Sequence, residues 1–148
     1  MDFTIQAPQT TDKAQWQKLY RGYAEFYNVE MNADILETVW RWTQDADNPF
    51  YCLLAKDQQG TCVGLMHFRA MPSPLRGTQV GFLDDLFISE NSRGSGLVQA
   101  MFDQLESEAK KHNWPLVRWI TAQDNERAKA VYDKVANKTH WLTYQLNC

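Results

Sequence analysis

The sequence predicts an α/β protein with a mixed, mostly antiparallel sheet flanked by helices, in the element order β-αα-βββ-α-β-α-β. Apolar residues alternate in several short segments, as in strands, and repeat at helical spacing in longer ones. The links between residues 50 and 81 are short, which favours antiparallel pairing there. The 148 residues, 44% hydrophobic and 13% aromatic, suffice for one packed domain over residues 1–148.

Composition argues against several classes of protein. A net charge of −3 and a pI near 5.6 disfavour nucleic-acid binding. The N-terminus does not read as a signal peptide, and no apolar run reaches membrane-spanning length. Three cysteines (Cys52, Cys62 and Cys148) form no CxxC pair and no zinc-like cluster. We therefore expect reduced thiols, no bound metal, no membrane association and a cytoplasmic location.

The N-terminal third predicts one strand and two helices. Residues 2–7 alternate as a strand that Pro8 ends. Thr10 or Thr11 is positioned to cap a first helix with an apolar-aromatic stripe. Its members are Trp16, Leu19, Tyr20, Tyr23 and Tyr27. A second helix carries Ile35, Leu36, Val39 and Trp40 on one side and ends before Pro49.

The middle of the chain predicts three strands. Residues 50–55 form the first, and a turn at 57–60 leads to the second, which runs from Thr61 through Phe68. A proline-bearing segment, 71–77, reads as a loop before the third strand, 80–88.

The C-terminal part predicts two helices and two strands. Leu97 begins a helical apolar stripe that reaches Ala109, and Asn113-Trp114-Pro115 breaks the chain. A strand over 116–121 and a helix over about 125–135 follow. Residues 139–146 alternate, which predicts a final strand.

A polar glycine turn between the third central strand and its following helix has the chemistry of an anion site. Arg93, Gly94 and Gly96 stand where the helix starts, and the first N–H groups of a helix lack intrahelical partners. Glycines let a phosphate approach that backbone. The turn is not a P-loop, and Gln99 stands where a dinucleotide fingerprint needs its third glycine.

The turn resembles motif A of the GNAT superfamily of acetyl-CoA-dependent N-acetyltransferases, R-x-x-G-x-[G/A]. Arg93 and Gly96 fit the pattern, whereas Val98 stands where Gly or Ala is usual. The resemblance implies the GNAT fold and acetyl-CoA as cofactor, with its pyrophosphate held by the turn. The cofactor-binding residues it implies in and before the turn are Arg93, Gly94, Ser95, Gly96, Leu97 and Val98, with Leu86, Phe87 and Ile88. Backbone N–H groups of Phe87 and Ile88 are the expected partners of pantetheine and thioester, where the strands splay.

A second pattern strengthens the resemblance. Asn125, Ala128 and Tyr132 are spaced i, i+3 and i+7, on one helical face. They resemble the family's motif B, N-x-x-A-x-x-x-Y. The resemblance implies that Asn125 binds the pantetheine arm, Ala128 permits close approach and Tyr132 is the general acid beside the sulfur. A half-buried structural phenol is the alternative for Tyr132.

An acidic pair is the candidate for amine binding and deprotonation. Asp84 and Asp85 are adjacent on a strand, so regular alternation predicts side chains on opposite faces. The resemblance implies an acidic group at the first place of the pair, which favours Asp84 as base or amine anchor and leaves Asp85 to support the fold through turn or helix hydrogen bonds. The alternative is that both are solvated carboxylates at a strand edge. Leu83–Ile88 with Trp119–Thr121 resembles the diamine and histone/polyamine acetyltransferase branch.

The resemblance implies transfer of an acetyl group to a primary amine of a small molecule, polyamine or amino-acid-like, by direct attack in a ternary complex. Tyr23, Glu25 and Tyr27 on the first helix are substrate candidates, with core packing as the alternative. A homodimer is expected, in which the tail 141–146 supplies an edge strand. Two other functions stay open: acetylation of a protein or peptide, and a non-catalytic acyl-CoA-binding module.

Overall fold

A five-stranded sheet in the spatial order β1-β2-β3-β4-β5 organises the chain in the computed structural model, which describes residues 2–148. The strands are β1 (Thr4–Gln6), β2 (Phe50–Lys56), β3 (Cys62–Ser73), β4 (Thr78–Ile88) and β5 (Val117–Arg118). The first four pair antiparallel, and β5 runs parallel to β4. The predicted mixed, mostly antiparallel sheet is confirmed.

Four helices flank the sheet: α1 (Lys13–Phe26), α2 (Ala33–Gln44), α3 (Leu97–Lys111) and α4 (Glu126–Val135). A 3-10 turn over Thr10–Asp12 precedes α1, and Gln9 and Asp12 form its capping box, so neither predicted threonine is the cap. Asn32 caps α2 by accepting from the Ile35 N–H at 2.9 Å. None of the helices within residues 2–148 is long and apolar enough to cross a membrane.

Successive side chains of the central strands point to opposite faces of the sheet, so that a hydrophobic core forms on each side. Cys52 and Leu54 of β2 pack with α1 and α2, whereas Leu53 and Ala55 join the α3 side. Trp16 of α1 is fully buried on the first side, and Met101 of α3 is fully buried on the second. Burying these apolar faces is the main favourable term in holding the helices to the sheet.

The sheet opens between β4 and β5. Residues Gly81 and Phe82 pair with Val117 and Arg118, and β5 ends there. Strand β4 continues along β3 as far as the Ile88–Gly64 pair. Within residues 2–148, no strand therefore covers the β5-facing edge of β4 from residue 83 onward, and a gap is left between the strands.

The predicted loop at 71–77 is largely wrong. Met71, Pro72 and Ser73 continue β3 and pair with residues 80, 79 and 78, so the turn spans only residues 74–77. The pairing between β2 and β3 stops at the Phe50–Arg69 pair. Beyond Arg69, β3 therefore has a neighbouring strand on one side only. A proline is tolerated on such an edge because its missing N–H breaks no ladder bond.

The predicted final strand at Thr139–Leu146 is absent. Within residues 2–148 no segment pairs with it, and Trp141, Leu142, Tyr144 and Leu146 are each at least 77% exposed. Alternation alone gives a strand tendency, but a strand needs a partner that satisfies its N–H and C=O groups. The tail therefore contributes nothing to the sheet described above.

Candidate active site

A cavity of about 450 Å³ lies at the gap beside the end of β4. This volume falls within the range of about 300–1,000 Å³ that is usual for small-molecule sites. Its walls come from the end of α1, the end of β4, the turn before α3 and one face of α4. Both sequence motifs meet here. The predicted residues on its wall are Tyr27, Leu86, Phe87, Ile88, Arg93, Gly94, Gly96, Val98, Asn125, Ala128 and Tyr132.

The glycine turn is open to a ligand. Gly94 and Gly96 have φ angles of 75° and 84°, in the left-handed region that favours glycine. A Cβ built on either residue would meet no atom within 4 Å. Gly96 is the N-cap of α3, so the helix's first N–H groups, which lack intrahelical partners, adjoin this space. Backbone N–H groups beside open space are suited to bind the pyrophosphate of acetyl-CoA.

Arg93 ties the turn to the end of β4. Its Nε donates to the Ile88 carbonyl at 3.1 Å. Its guanidinium lies 5.6 Å from the Phe26 ring centre and 5.9 Å from that of Phe87. These contacts hold a positive charge against the cavity wall, where it adds to the positive end of the α3 dipole.

Three predicted turn residues differ in how they meet the cavity. Ser95 does not line it, and its Oγ donates to the Ser92 carbonyl at 2.5 Å. Leu97 is buried in the core, so only its backbone N–H is available to a ligand. Val98, the departure from motif A, packs partly against the core and lines the cavity without closing it.

The end of β4 offers backbone groups to the gap. Ser89 donates its N–H to Val63 of β3. In an antiparallel ladder these groups alternate in direction, so the Phe87 N–H also points to β3. The N–H groups of Leu86 and Ile88 therefore point to the gap. The N–H of Ile88 has the direction that its expected role needs and the N–H of Phe87 does not, whereas the N–H of Leu86 does.

Helix α4 presents its motif to the cavity. Asn125 caps the helix, with Oδ1 accepting from the Ala128 N–H at 3.2 Å, and its amide NH₂ is not engaged by that bond. The Tyr132 ring packs edge-on against Trp119 and Phe102, with ring centres 5.5 and 6.1 Å apart. Burial, and then the nearby Tyr27, raises the pKa of Tyr132. Its phenol is therefore protonated at neutral pH.

The prediction that Asp84 and Asp85 face opposite sides of the sheet is wrong. His67 pairs with Asp85 while the next residue, Phe68, pairs with Leu83, so Asp84 is an extra residue in β4. Such a β-bulge interrupts alternation. Asp85 reaches Tyr20 of α1, and the charges of both carboxylates raise the pKa of that tyrosine after burial does. Both carboxylates therefore lie near the α1 side.

The two carboxylates have different partners. Asp84 accepts from Arg69 Nε at 3.0 and 3.2 Å, and burial raises its pKa more than Arg69 lowers it. Asp85 Oδ2 is 2.9 Å from the Tyr20 hydroxyl and 2.9 Å from His67 Nδ1. Burial alone would raise the pKa of Asp85, but His67 and the hydrogen bonds from Tyr20 and Tyr23 together outweigh it and hold the pKa below its usual value.

Neither carboxylate lines the cavity itself. Asp85 precedes Phe87 by two residues on the same strand face, roughly 7 Å away. Tyr23 lies between them, with its ring centre 4.9 Å from that of Tyr27, which lines the cavity, and 6.2 Å from that of Phe87. Burial and the neighbouring Asp85 raise the pKa of Tyr23. Glu25, by contrast, is exposed and is not brought to the cavity.

Sequence reasoning missed two features of the site. Arg127 and Lys134 add cations to the cavity wall, but nothing in motif B marks those positions. His67 is completely buried beside Asp85. Its signal was a single histidine inside the apolar run 65–68, but its partner Trp16 is 51 residues earlier, beyond the reach of local patterns.

Comparison with known proteins shows the family of the chain. The model of the acetyltransferase (GNAT) family matches residues 15–136. A D-amino-acid N-acetyltransferase, HPA3 of Saccharomyces cerevisiae, is 27% identical over 97% of this chain and 89% of that protein.

Solved structures share the fold at lower identity. Ribosomal-protein-alanine N-acetyltransferase of Brucella melitensis biovar Abortus 2308 superposes with a TM-score of 0.84 at 22% identity, covering 99% of this chain and 100% of that one. Aminoglycoside 6'-N-acetyltransferase of Acinetobacter baumannii gives 0.82 at 18% identity, with 99% of each chain covered. Such identities support the fold alone. From the match over most of its length, the chain belongs to the acetyltransferase (GNAT) family.

Proposed function

We propose that this N-acetyltransferase transfers the acetyl group of acetyl-CoA to the primary amine of a small molecule, amino-acid-like or polyamine. The observation that carries the proposal is the single cavity joining the open glycine turn to the Tyr132 phenol. The yeast relative, named for acetylating D-amino acids, puts amino acids first among the candidate acceptors.

The walls of the cavity supply groups suited to each part of acetyl-CoA. The amides that follow Gly94 and Gly96, with the Arg93 charge, suit the pyrophosphate. The free amide NH₂ of Asn125 suits the pantetheine arm, and Ala128 leaves room for it. When bound, acetyl-CoA supplies the thioester carbonyl that the amine attacks.

The chain's own residues then have three tasks. An alkylamine with a pKa near ~10.4 is mostly protonated at neutral pH, so the acidic pair must bind the ammonium and accept its proton, directly or through water. The gap-facing N–H groups of Leu86 and Ile88 stabilise negative charge developing on the carbonyl oxygen. The Tyr132 hydroxyl donates a proton to the departing sulfur.

The structure changes which carboxylate we favour for the amine. The family pattern favours Asp84, but its carboxylate is paired with Arg69. Asp85 keeps an ionised carboxylate beside Tyr23, next to the cavity wall. We therefore propose Asp85 as the amine-binding group, with Asp84 in second place.

A thiol-release assay with acetyl-CoA tests the proposal. The panel contains D-amino acids, L-amino acids, polyamines and short peptides, and we expect the fastest release with a small amine. Release with peptides alone would instead indicate a protein acetyltransferase. Absence of release with every acceptor, together with thermal stabilisation by acetyl-CoA, would indicate a non-catalytic acyl-CoA-binding module.

Two further expectations remain proposals. We propose a homodimer, since the exposed apolar tail at 141–146 is available to a second copy, and light scattering measures its mass. We also propose a cytoplasmic location, supported by cysteines that form no disulfide within residues 2–148.

A further inference from the structure

A buried histidine connects α1 to the acidic pair. His67 of β3 has no exposed surface. Its Nε2 lies 3.0 Å from Trp16 Nε1, and its Nδ1 lies 2.9 Å from Asp85 Oδ2. The rings of Tyr20 and Phe50 pack against the imidazole, with centres 4.8 and 5.2 Å away. The imidazole is therefore fixed on all sides, and both of its nitrogens have partners.

The partners determine where the imidazole proton lies. An indole N–H can only donate a hydrogen bond, so Nε2 of His67 must accept from Trp16 and carries no proton. The proton of the neutral ring is then on Nδ1, which donates it to Asp85. Trp16 thus selects the tautomer that supports the carboxylate.

The bonds to Asp85 are unequally shared between its two oxygens. Oδ2 accepts from both His67 and Tyr20, whereas Oδ1 takes part in neither bond. The side chain remains 16% exposed. A carboxylate held through one oxygen has its other oxygen in a fixed direction.

We propose that His67 and Trp16 are positioning residues of the acetyl transfer: the indole fixes the imidazole tautomer, and the imidazole holds Asp85 through Oδ2 so that Oδ1 binds the acceptor amine. This inference rests on the proposed function, because its object is the amine. It adds residues outside both family motifs and outside the cavity wall.

Other charged and titratable groups near Asp85 do not replace this support. Strand β3 also brings Arg69, which pairs with Asp84 of β4. Helix α1 brings Tyr20 and Tyr23, whose hydrogen bonds lower the pKa of Asp85, and strand β2 brings Cys52; all three are neutral groups. Among these groups His67 lowers the pKa of Asp85 most, ahead of the hydrogen bonds from Tyr20 and Tyr23, so His67 is the main support of the ionised carboxylate.

Two substitutions of His67 separate positioning from packing. His67→Leu removes the donor to Asp85, and we expect the KM for the amine to rise about tenfold or more with the KM for acetyl-CoA unchanged. The acidic limb of the pH profile of kcat/KM for the amine should move to higher pH by about one to two units. His67→Asn keeps an N–H donor near the position of Nδ1 and should restore most of both values.

Trp16→Phe tests the role of the indole with the aromatic packing largely kept. Without the indole donor the imidazole is free to take either tautomer, so the acidic limb should shift in the same direction by a smaller amount. Nitrogen-15 NMR of the wild type should show a protonated Nδ1 and an unprotonated Nε2. A protonated Nε2 would overturn the inference, even if the leucine variant does not fold.

The controls distinguish this inference from the proposed function. If the wild type acetylates no small amine, the proposed function fails and the inference fails with it. If the wild type is active, and His67→Leu is stabilised by acetyl-CoA yet keeps the amine KM and the acidic limb, the inference alone is overturned. A change in melting temperature without either kinetic change would assign His67 to packing.

Discussion

Gly96→Ala is the sharpest test of the open turn, because Gly60 offers a matched control. Both glycines have left-handed φ angles, 84° and 81°, and a Cβ on either would meet no atom within 4 Å. An alanine in that conformation costs about 1–2 kcal/mol. At this chain length such a loss lowers the melting temperature by about 2–8 °C, and we expect the same fall in both variants.

The two variants should differ only when acetyl-CoA is present. Gly96 lies on the cavity wall, whereas Gly60 lies in the turn between β2 and β3. A methyl group at residue 96 occupies space that the pyrophosphate needs, and loss of one charged hydrogen bond weakens binding about tenfold or more. At a ligand concentration of about 100 Kd, stabilisation would fall from about 2.7 to about 1.4 kcal/mol.

Thermal unfolding with and without acetyl-CoA, and the KM for acetyl-CoA, measure both effects. Gly60→Ala should keep the full ligand-induced shift, and Gly96→Ala about half of it. Equal shifts in the two variants would refute the assignment of the turn to the cofactor.

Two other predictions concern catalysis and acid stability. Tyr132→Phe should lower kcat by about ten- to a thousand-fold, with little change in acetyl-CoA affinity; an unchanged kcat would remove this phenol from the reaction. Asp12 is buried, yet hydrogen bonds from Lys56 and the Gln9 N–H hold its pKa below the usual value. It therefore stabilises the fold above its unfolded pKa of about 3.9, and that stability is lost as the pH falls through its folded pKa. The free energy of unfolding, measured with denaturant from pH 5 downward, should fall less steeply with pH in Asp12→Asn than in the wild type. Identical pH dependence in the two proteins would contradict the assignment.

Local signals explain what the sequence predicted well. The turn at 93–96 depends on the conformation of its glycines, and helix α3 depends on the helical spacing of its apolar residues. Both signals can be recognised within a short stretch of sequence. Helix α4 has its cap and the three motif residues that line the cavity within eight positions. For such elements, neighbours in sequence are also neighbours in space.

Pairing between distant segments explains what it missed. The bulge at Asp84 depends on the register of β4 against β3, which alternation within β4 does not reveal. The hydrogen bonds of Asp85 and His67 involve Trp16 and Tyr20, which come from a helix far earlier in the chain. The tail at 139–146 has the alternating pattern of a strand but no pairing partner within residues 2–148. The sequence of the tail alone does not show whether such a partner exists.

The extra residue in β4 also determines how the strand would respond to a deletion. Removing one residue from a regular central strand shifts the frame and turns every later side chain to the other face. Here Leu83 and Leu86 both pack toward α3, although three positions apart, because Asp84 is inserted between them. A chain lacking Asp84 would have an uninterrupted ladder, with Leu86 and Ile88 still on the α3 side and Phe87 still facing α1. The insertion thus adds a second carboxylate without altering the apolar pattern on which the sheet depends.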